Sequence, residues 1–223
     1  DNNNLHLRNL HPQPHQGICA DLIATIEGIS REDTENLALE SQRRADVAIK
    51  NGYFDRSVVP VYHDDGSLAL DHEEFPRPQT TLEGLAGLRP AFEKMYAAPL
   101  DEEGNSYKNL VEQKYPDIKI EHSHHAGNSS GVVDGAGAVL LASPEYAKAH
   151  GLNPRARIKT MANAGDSPEL MLNAPVPAAK KALKMAGMTI ADIDLFEVNE
   201  AFAVVPLKFM RDLNVDPGLV NVN

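Results

Sequence analysis

Residues 192–213 read DIDLFEVNEAFAVVPLKFMRDL. The first seven, DIDLFEV, carry the β-branched and aromatic residues of a strand, and the rest read as a helix. Asn199 and Glu200 stand at the join, inside what reads as buried strand and buried helix. An amide buried without a partner costs roughly 2–7 kcal/mol and a carboxylate more, so the pair needs a purpose. In α/β proteins ligands sit in the crevice outside the carboxyl ends of the strands, which makes Asn199 a candidate site residue. The same position also suits an N-cap, with the side-chain oxygen taking a free N–H of the next helix. Both readings stand at this point. Pro206 removes one backbone hydrogen bond and predicts a bend near Phe202.

The stretches upstream extend the pattern. GAGAVLLAS (135–143) reads as a buried strand, and SPEYAKAHG (143–151) as a helix capped by Ser143 with Pro144 at its first position. ARIKTMANA (156–164) and PVPAAKKALKMAG (175–187) repeat strand and helix. This alternation predicts an α/β fold with parallel strands and layered helices. The first half differs. ICADLIATIEG (18–28) places Cys19, Leu22, Ile23 and Ile26 on one helical face; Ser30 and Asp33 are spaced as a capping box for a helix running to about Lys50, before Asn51-Gly52. VVPVYHDDGSLALD (58–71) predicts a hairpin at Asp65-Gly66. Thr80 and Glu83 repeat the capping spacing before LEGLAGLRPAF (82–92), a helix carrying Leu82, Leu85 and Leu88, and residues 95–120 read as polar and irregular. The hairpin-and-helix half is thus an α+β excursion from a sheet-bearing scaffold.

Composition narrows the function. With 223 residues, 42% of them hydrophobic, the chain can bury one sizeable core or two small ones. Its 21 basic and 32 acidic residues leave a formal charge of -11, which disfavours nucleic acid and anionic membranes as partners. No apolar run approaches the roughly 18 residues of a membrane helix, and no basic-then-apolar leader opens the sequence. One cysteine, Cys19, leaves no internal disulfide and fits a reducing, cytoplasmic setting. The opening DNNNLHLRNLHPQPHQG has no initiating Met and the closing PGLVNVN ends on an apparent buried strand, so both ends are expected to be cut.

Three further stretches could carry chemistry. HHAGNSSGVVDGAGA (124–138) has the small residues that let a ligand or another backbone come close, but no Gly-Lys-Ser/Thr of a phosphate loop follows; its other reading is a tight turn feeding a strand. In EHSHH (121–125), Glu121, His122, His124 and His125 are zinc-ligand types. Neighbours on an extended segment point alternately, so the expectation is a solvated or hydrogen-bonding cluster and no metal. His15 and Cys19, four apart, could meet as a nucleophile pair, yet the apolar face makes Cys19 a packing residue.

Taken together these stretches resemble the thiolases, enzymes that make or cleave 3-ketoacyl-CoA. DIDLFEVNEAFA is similar to the family's Asn-Glu-Ala-Phe motif and AGNSSGVVDGAGAVLLAS to its Ala-Gly-Asn-x-Ser-Gly segment. HQGICADLIA, SREDTENLALESQRRADVAIKNGYFDRSVVPV and RPQTTLEGLAGLRPAF extend the likeness over about residues 12–94 and 125–223. The resemblance implies an incomplete thiolase-like layered fold: a CoA-binding loop domain over 1–124 with an insertion near 95–120, the last strand and helix of the N-terminal domain over 125–152, and the first part of the C-terminal domain over 153–223.

For the site, the resemblance implies that Asn199 holds a water in the oxyanion hole. Ala201 and Phe202 would line the pantetheine tunnel, Ser130 would bond the pantetheine arm, and Met171 would wall the acyl pocket. His15 would lie near CoA beside Gln16, which replaces the usual Met, and Arg77 would open the segment meeting the nucleotide end of CoA. His125 stands where Thr is usual. It further implies acyl-CoA and CoA as substrates, no separate cofactor, a role in fatty acid metabolism and a homodimer or tetramer. The family's nucleophilic cysteine, second cysteine and Gly-His-Pro histidine have no counterpart here, so the chain is expected to be an internal piece without turnover of its own. The alternative is a non-catalytic CoA-ester or lipid-binding protein, or a partner subunit.

Overall fold

The computed structural model describes residues 4–223. Helix α1 (Leu5–Leu10) precedes α2 (Gln16–Glu27), whose residues Gly17 to Ala24 are all buried. Ile26, expected on the buried face, is 43% exposed because it lies in the turn where the helix leaves the core. Gly28 ends α2 at φ 62, a left-handed conformation that glycine adopts without steric cost. Helix α3 (Arg31–Lys50) begins in the expected box: Ser30 and Asp33 each accept the other's backbone N–H. It ends at Asn51, with Gly52 at φ 67.

The hairpin forms as the Asp65-Gly66 signal predicts, with β1 (Val61–Tyr62) antiparallel to β2 (Leu68–Leu70). Helix α4 (Leu82–Ala86) is shorter than its sequence pattern and its cap is shifted by one residue. Thr80 Oγ1 donates to the Arg77 carbonyl, leaving Thr81 to accept the N–H of Gly84. Only Leu85 of the three leucines is buried.

Residues 95–120 are mostly irregular, as expected, but part of the stretch packs. They hold the end of α5 (Glu93–Tyr96) and all of α6 (Tyr107–Glu112), the latter opened by a Ser106/Asn109 box that the polar composition hides. Val111 meets Ile18 and Leu22 of α2 in a small core, flanked by Tyr96, Tyr107, Tyr115, Ile118 and Ile120. Apolar residues spaced too irregularly for one face still close over α2.

The second half has helices α7 (Pro144–Ala149), α8 (Pro175–Ala186) and α9 (Val204–Leu213). Ser143 caps α7 with Pro144 at its first position, and Gly187 ends α8 at φ 64, as the sequence predicts. Pro206 produces no break. It falls in the first turn of α9 and is buried there, where its missing N–H has no intrahelical partner to lose. The main core gathers Ala20, Ile23 and Ala24 of α2, Val176 of α8 and Val204, Val205, Phe209 and Leu213 of α9 around Val198, Phe202 and Val220.

The layered arrangement is present in part. Phe196 pairs in parallel with Val220, the expected direction, as an isolated bridge. GAGAVLLAS and ARIKTMANA form no strand among the described residues, and they are not buried: Val139, Leu140 and Leu141 are 85%, 83% and 70% exposed, and Met161 76%. A continuous apolar strand is buried only where neighbouring strands and covering helices meet both of its faces. No strand pairs with either run among the described residues, and α8 meets the second only at its end, where Lys181 donates to the Asn163 carbonyl at 2.9 Å.

Candidate functional site

The N–H groups of Ser130 and Ala203 donate to the carbonyls of Ala201 and Asn128, both at 3.0 Å, and Ser129 bridges Phe202. These bonds seat the 199–203 turn on the small-residue segment 127–131. A cleft of about 250 Å³ opens beside the join, walled by Asn199, Glu200 and Ala203, by Gly127–Gly131, by one face of α3 from Leu37 to Ala45, and by Phe75 and Pro76. Gly131 lets the Phe75 ring lie against the backbone; a Cβ there would displace the ring.

Asn199 is exposed on the cleft wall, not buried. Helix α9 begins at Val204 with Ala203 as its cap residue, so Asn199 lies too far upstream to be the N-cap. Among the described residues nothing hydrogen-bonds its side-chain amide. It is a free donor at a cleft. Glu200 is the partnered half of the pair: Ser41 of α3 donates its hydroxyl to Oε2 at 2.7 Å, and Asn221 donates its amide to Oε1 at 2.8 Å.

Of the other expected residues, Ser130 lines the same cleft and Ala201 adjoins it through its carbonyl. Phe202 is 7% exposed and packs edge-on against Phe92 and His124 at 5.8 and 5.7 Å, in the core instead of on the cleft wall. His15 lies outside the cleft; its Nδ1 accepts the Gly17 N–H as the N-cap of α2, and its ring meets Phe92 at 5.4 Å. Met171 also lies outside, at a strained φ of 43 after a turn closed by its N–H to the Ser167 carbonyl. Arg77 turns its guanidinium onto its own loop, donating to the carbonyls of Glu74, Phe75 and Pro76, while its N–H donates to Gln42. Its charge holds Phe75 and Pro76 at the cleft mouth.

Cys19 and His15 form no pair. The Cys19 thiol is fully buried, 3.8 Å from the Pro14 carbonyl, and burial pushes its pKa up to about 12. Such a thiol is inert as a nucleophile.

The histidine stretch is a hydrogen-bonding cluster built on a residue the sequence reading passed over. Asp21, fully buried on α2, accepts from His122 Nδ1 at 2.7 Å, from His124 Nδ1 at 2.8 Å and from the N–H groups of Ser123 and His124. A carboxylate only accepts, so both imidazoles carry their proton on Nδ1. An aspartate inside a wholly apolar helical run was the available signal. His125 points to the other side: its Nδ1 accepts the Gly127 N–H, so Nε2 carries the proton toward Glu35, 3.2 Å away. Arg31 ties Glu35 to the carbonyls of Leu85, Ala86 and Leu88 at the end of α4.

These networks set a pH dependence. Burial holds the His125 pKa below its ordinary value, and the histidine hydrogen bonds outweigh burial to hold the Asp21 carboxyl below its own. In both cases the unfolded chain binds more protons, so stability is full at neutral pH and falls on acidification. The loss from His125 begins below about pH 6.5 and that from Asp21 below about pH 4. Urea midpoints measured from pH 8 to 3 should fall in these two steps. His125→Gln should remove the first, and a midpoint flat down to pH 4 in the unmodified chain would contradict the assignment.

The profile of the thiolase N-terminal domain matches residues 3–97, and that of the thiolase C-terminal domain matches residues 152–223. An acetyl-CoA acetyltransferase of Escherichia coli is 40% identical over 211 residues, covering 94% of this chain and 47% of the relative. Two solved structures superpose well. The dimeric peroxisomal thiolase of Saccharomyces cerevisiae is 33% identical with a TM-score of 0.77, covering 93% of this chain and 46% of the other. Human mitochondrial 3-ketoacyl-CoA thiolase in complex with CoA is 37% identical with a TM-score of 0.74, covering 92% and 45%. The chain spans about half the length of the curated relatives it matches. The chain thus has the thiolase-like layered α/β fold, present here in part. With both family domains matched in their order and solved thiolases following almost all of its backbone, the chain belongs to the thiolase family.

Proposed function

We propose that this chain supplies the thioester-binding wall of an acyl-CoA acyltransferase that makes or cleaves 3-ketoacyl-CoA. The observation that carries the reading is the unpartnered Asn199 amide, held beside Ser130 on a cleft that small residues keep open. Such a donor can hold a water against the oxyanion that develops when a thioester carbonyl is attacked. Ser130 takes the pantetheine arm, and Ala201 shapes the wall through the carbonyl that fixes Ser130. Relatives named acetyl-CoA acetyltransferase and 3-ketoacyl-CoA thiolase, and a related structure holding CoA, support the substrate class. No cofactor other than CoA as co-substrate enters the reading.

The same reading includes a role in fatty acid metabolism, a homodimer or tetramer and a division of the chain at 124/125 and 152/153. A related dimeric structure supports the first of these assemblies. A cytoplasmic location rests on the single unpaired cysteine; among the described residues no helix is long and apolar enough to cross a membrane. The reading keeps His15, Arg77, Met171 and Phe202 as residues that meet CoA or the acyl group, although none of them lines the cleft within this chain.

Because Cys19 is its only cysteine and is inert, the chain by itself should bind CoA esters without turning them over. That same observation favours the second reading, a CoA-ester or lipid-binding subunit without catalysis. Calorimetric titration with acetoacetyl-CoA, thiolysis assays and intact-mass spectrometry after incubation test the proposal together. Binding weakened by Ser130→Val, with no acyl adduct on Cys19, is the expected result. An adduct on Cys19, or no binding at all, would overturn it. Thiolysis by the full-length protein separates the enzyme from the binding subunit.

A further inference from the structure

Glu200 is half-buried, and among the described residues neither of its carboxylate oxygens has a basic partner; each instead takes one neutral donor from a different part of the chain, Ser41 of α3 and Asn221 near the end. Asn221 has φ 48, a left-handed conformation that asparagine tolerates better than most residues. Its side chain behaves as an extra peptide unit: Oδ1 accepts the Val198 N–H at 2.7 Å, and Nδ2 donates to the Val198 carbonyl and to Glu200, both at 2.8 Å. This continues the backbone pairing of Phe196 with Leu219 and Asn221 by one step. Arg44, three residues after Ser41 and so on the same face of α3, donates to the carbonyls of Pro217, Val220 and Asn221. One rigid helix thereby fixes both donors that hold Glu200.

Asn199 lies between the two residues so held. Its own side chain bonds nothing among the described residues, so its amide can be aimed only through its backbone neighbours, Val198 and Glu200. We propose, resting on the reading of Asn199 as the oxyanion-side amide, that Ser41 and Asn221 are positioning residues that act through Glu200 to set where that amide points. A carboxylate suits the task because it accepts from both donors and fixes which way the Asn221 amide is turned.

The test is a cycle of Ser41→Ala, Asn199→Ala and the double variant in the full-length protein, by steady-state thiolysis of acetoacetyl-CoA, with thermal melts alongside. Ser41→Ala should lower kcat roughly tenfold with KM within about twofold, since a misaimed group costs rate before it costs binding. Glu200→Ala should do the same or worse, while Glu200→Gln keeps most of the rate, its amide oxygen accepting from Asn221 and its NH2 donating to Ser41. In the Asn199→Ala background the Ser41 change should have no further effect on kcat. Equal losses in both backgrounds, or a lowered melting point with kcat intact, would show that the clamp serves the fold alone and overturn the proposal. An Asn199→Ala variant with wild-type kcat would instead bring down the reading of Asn199, and the positioning role with it.

Discussion

Asp21→Ala should cost the chain several kcal/mol of stability, since each buried donor left without its acceptor costs about 1–3 kcal/mol. The carboxylate is fully buried and is the acceptor for two imidazole N–H groups and two backbone N–H groups. Alanine leaves all four donors in the interior, and His124 is itself fully buried, so water cannot simply replace the carboxylate there. Because native domains are stable by only about 5–15 kcal/mol, a change of this size takes a large share of the total. Asp21→Asn should fall between, since one amide oxygen remains to accept but the NH2 faces a donor. Urea denaturation at pH 7 followed by circular dichroism provides the comparison. A loss below about 1 kcal/mol for the alanine variant, the net worth of one ordinary hydrogen bond, would mean that the cluster is solvated in solution.

Asn199→Asp should separate catalysis from stability. Asn199 is exposed, is not the N-cap of α9 and makes no side-chain hydrogen bond among the described residues, so the melting temperature should stay where it is. On the proposed reading the change removes a donor and sets a negative charge against a developing oxyanion. Loss of one such donor costs about 10²–10³ in turnover in other enzymes, and the added charge should not soften that. Kinetics and thermal melts on the full-length protein carry the test. Unchanged turnover would remove Asn199 from the chemistry, whereas a parallel fall in rate and melting temperature would show that the side chain holds the turn.

The contrast between these two sites reflects what sequence can reveal. Asn199 was legible because its neighbours are informative: a strand-like run, an amide and a helix follow one another within a few residues, and several motifs of the resemblance lie in order along the chain. That it is not an N-cap was not legible, because that depends on α9 starting at Val204 instead of four residues earlier. Asp21 was visible as a charge in an apolar helix but was read past, since its partners lie 101 to 103 residues away. The Thr80/Glu83 cap slipped by one residue because the Arg77 carbonyl competed for the Thr80 hydroxyl.

What the amino-acid order determined by itself is the local architecture: the Ser30/Asp33 box, the Ser143-Pro144 start of α7, the Asp65-Gly66 hairpin and the glycine ends of α2 and α8. Each is settled by backbone preferences and hydrogen bonds within about four residues, so nothing outside the segment has a vote. The tertiary structure alone decided that Asp21 collects two histidines, that Ser41 reaches Glu200 across 159 positions, and that Val139, Leu140 and Leu141 stand exposed instead of buried. A hydrogen bond acts over about 3 Å and an apolar run is buried only by what lies against it, so these outcomes depend on positions that the folded chain creates.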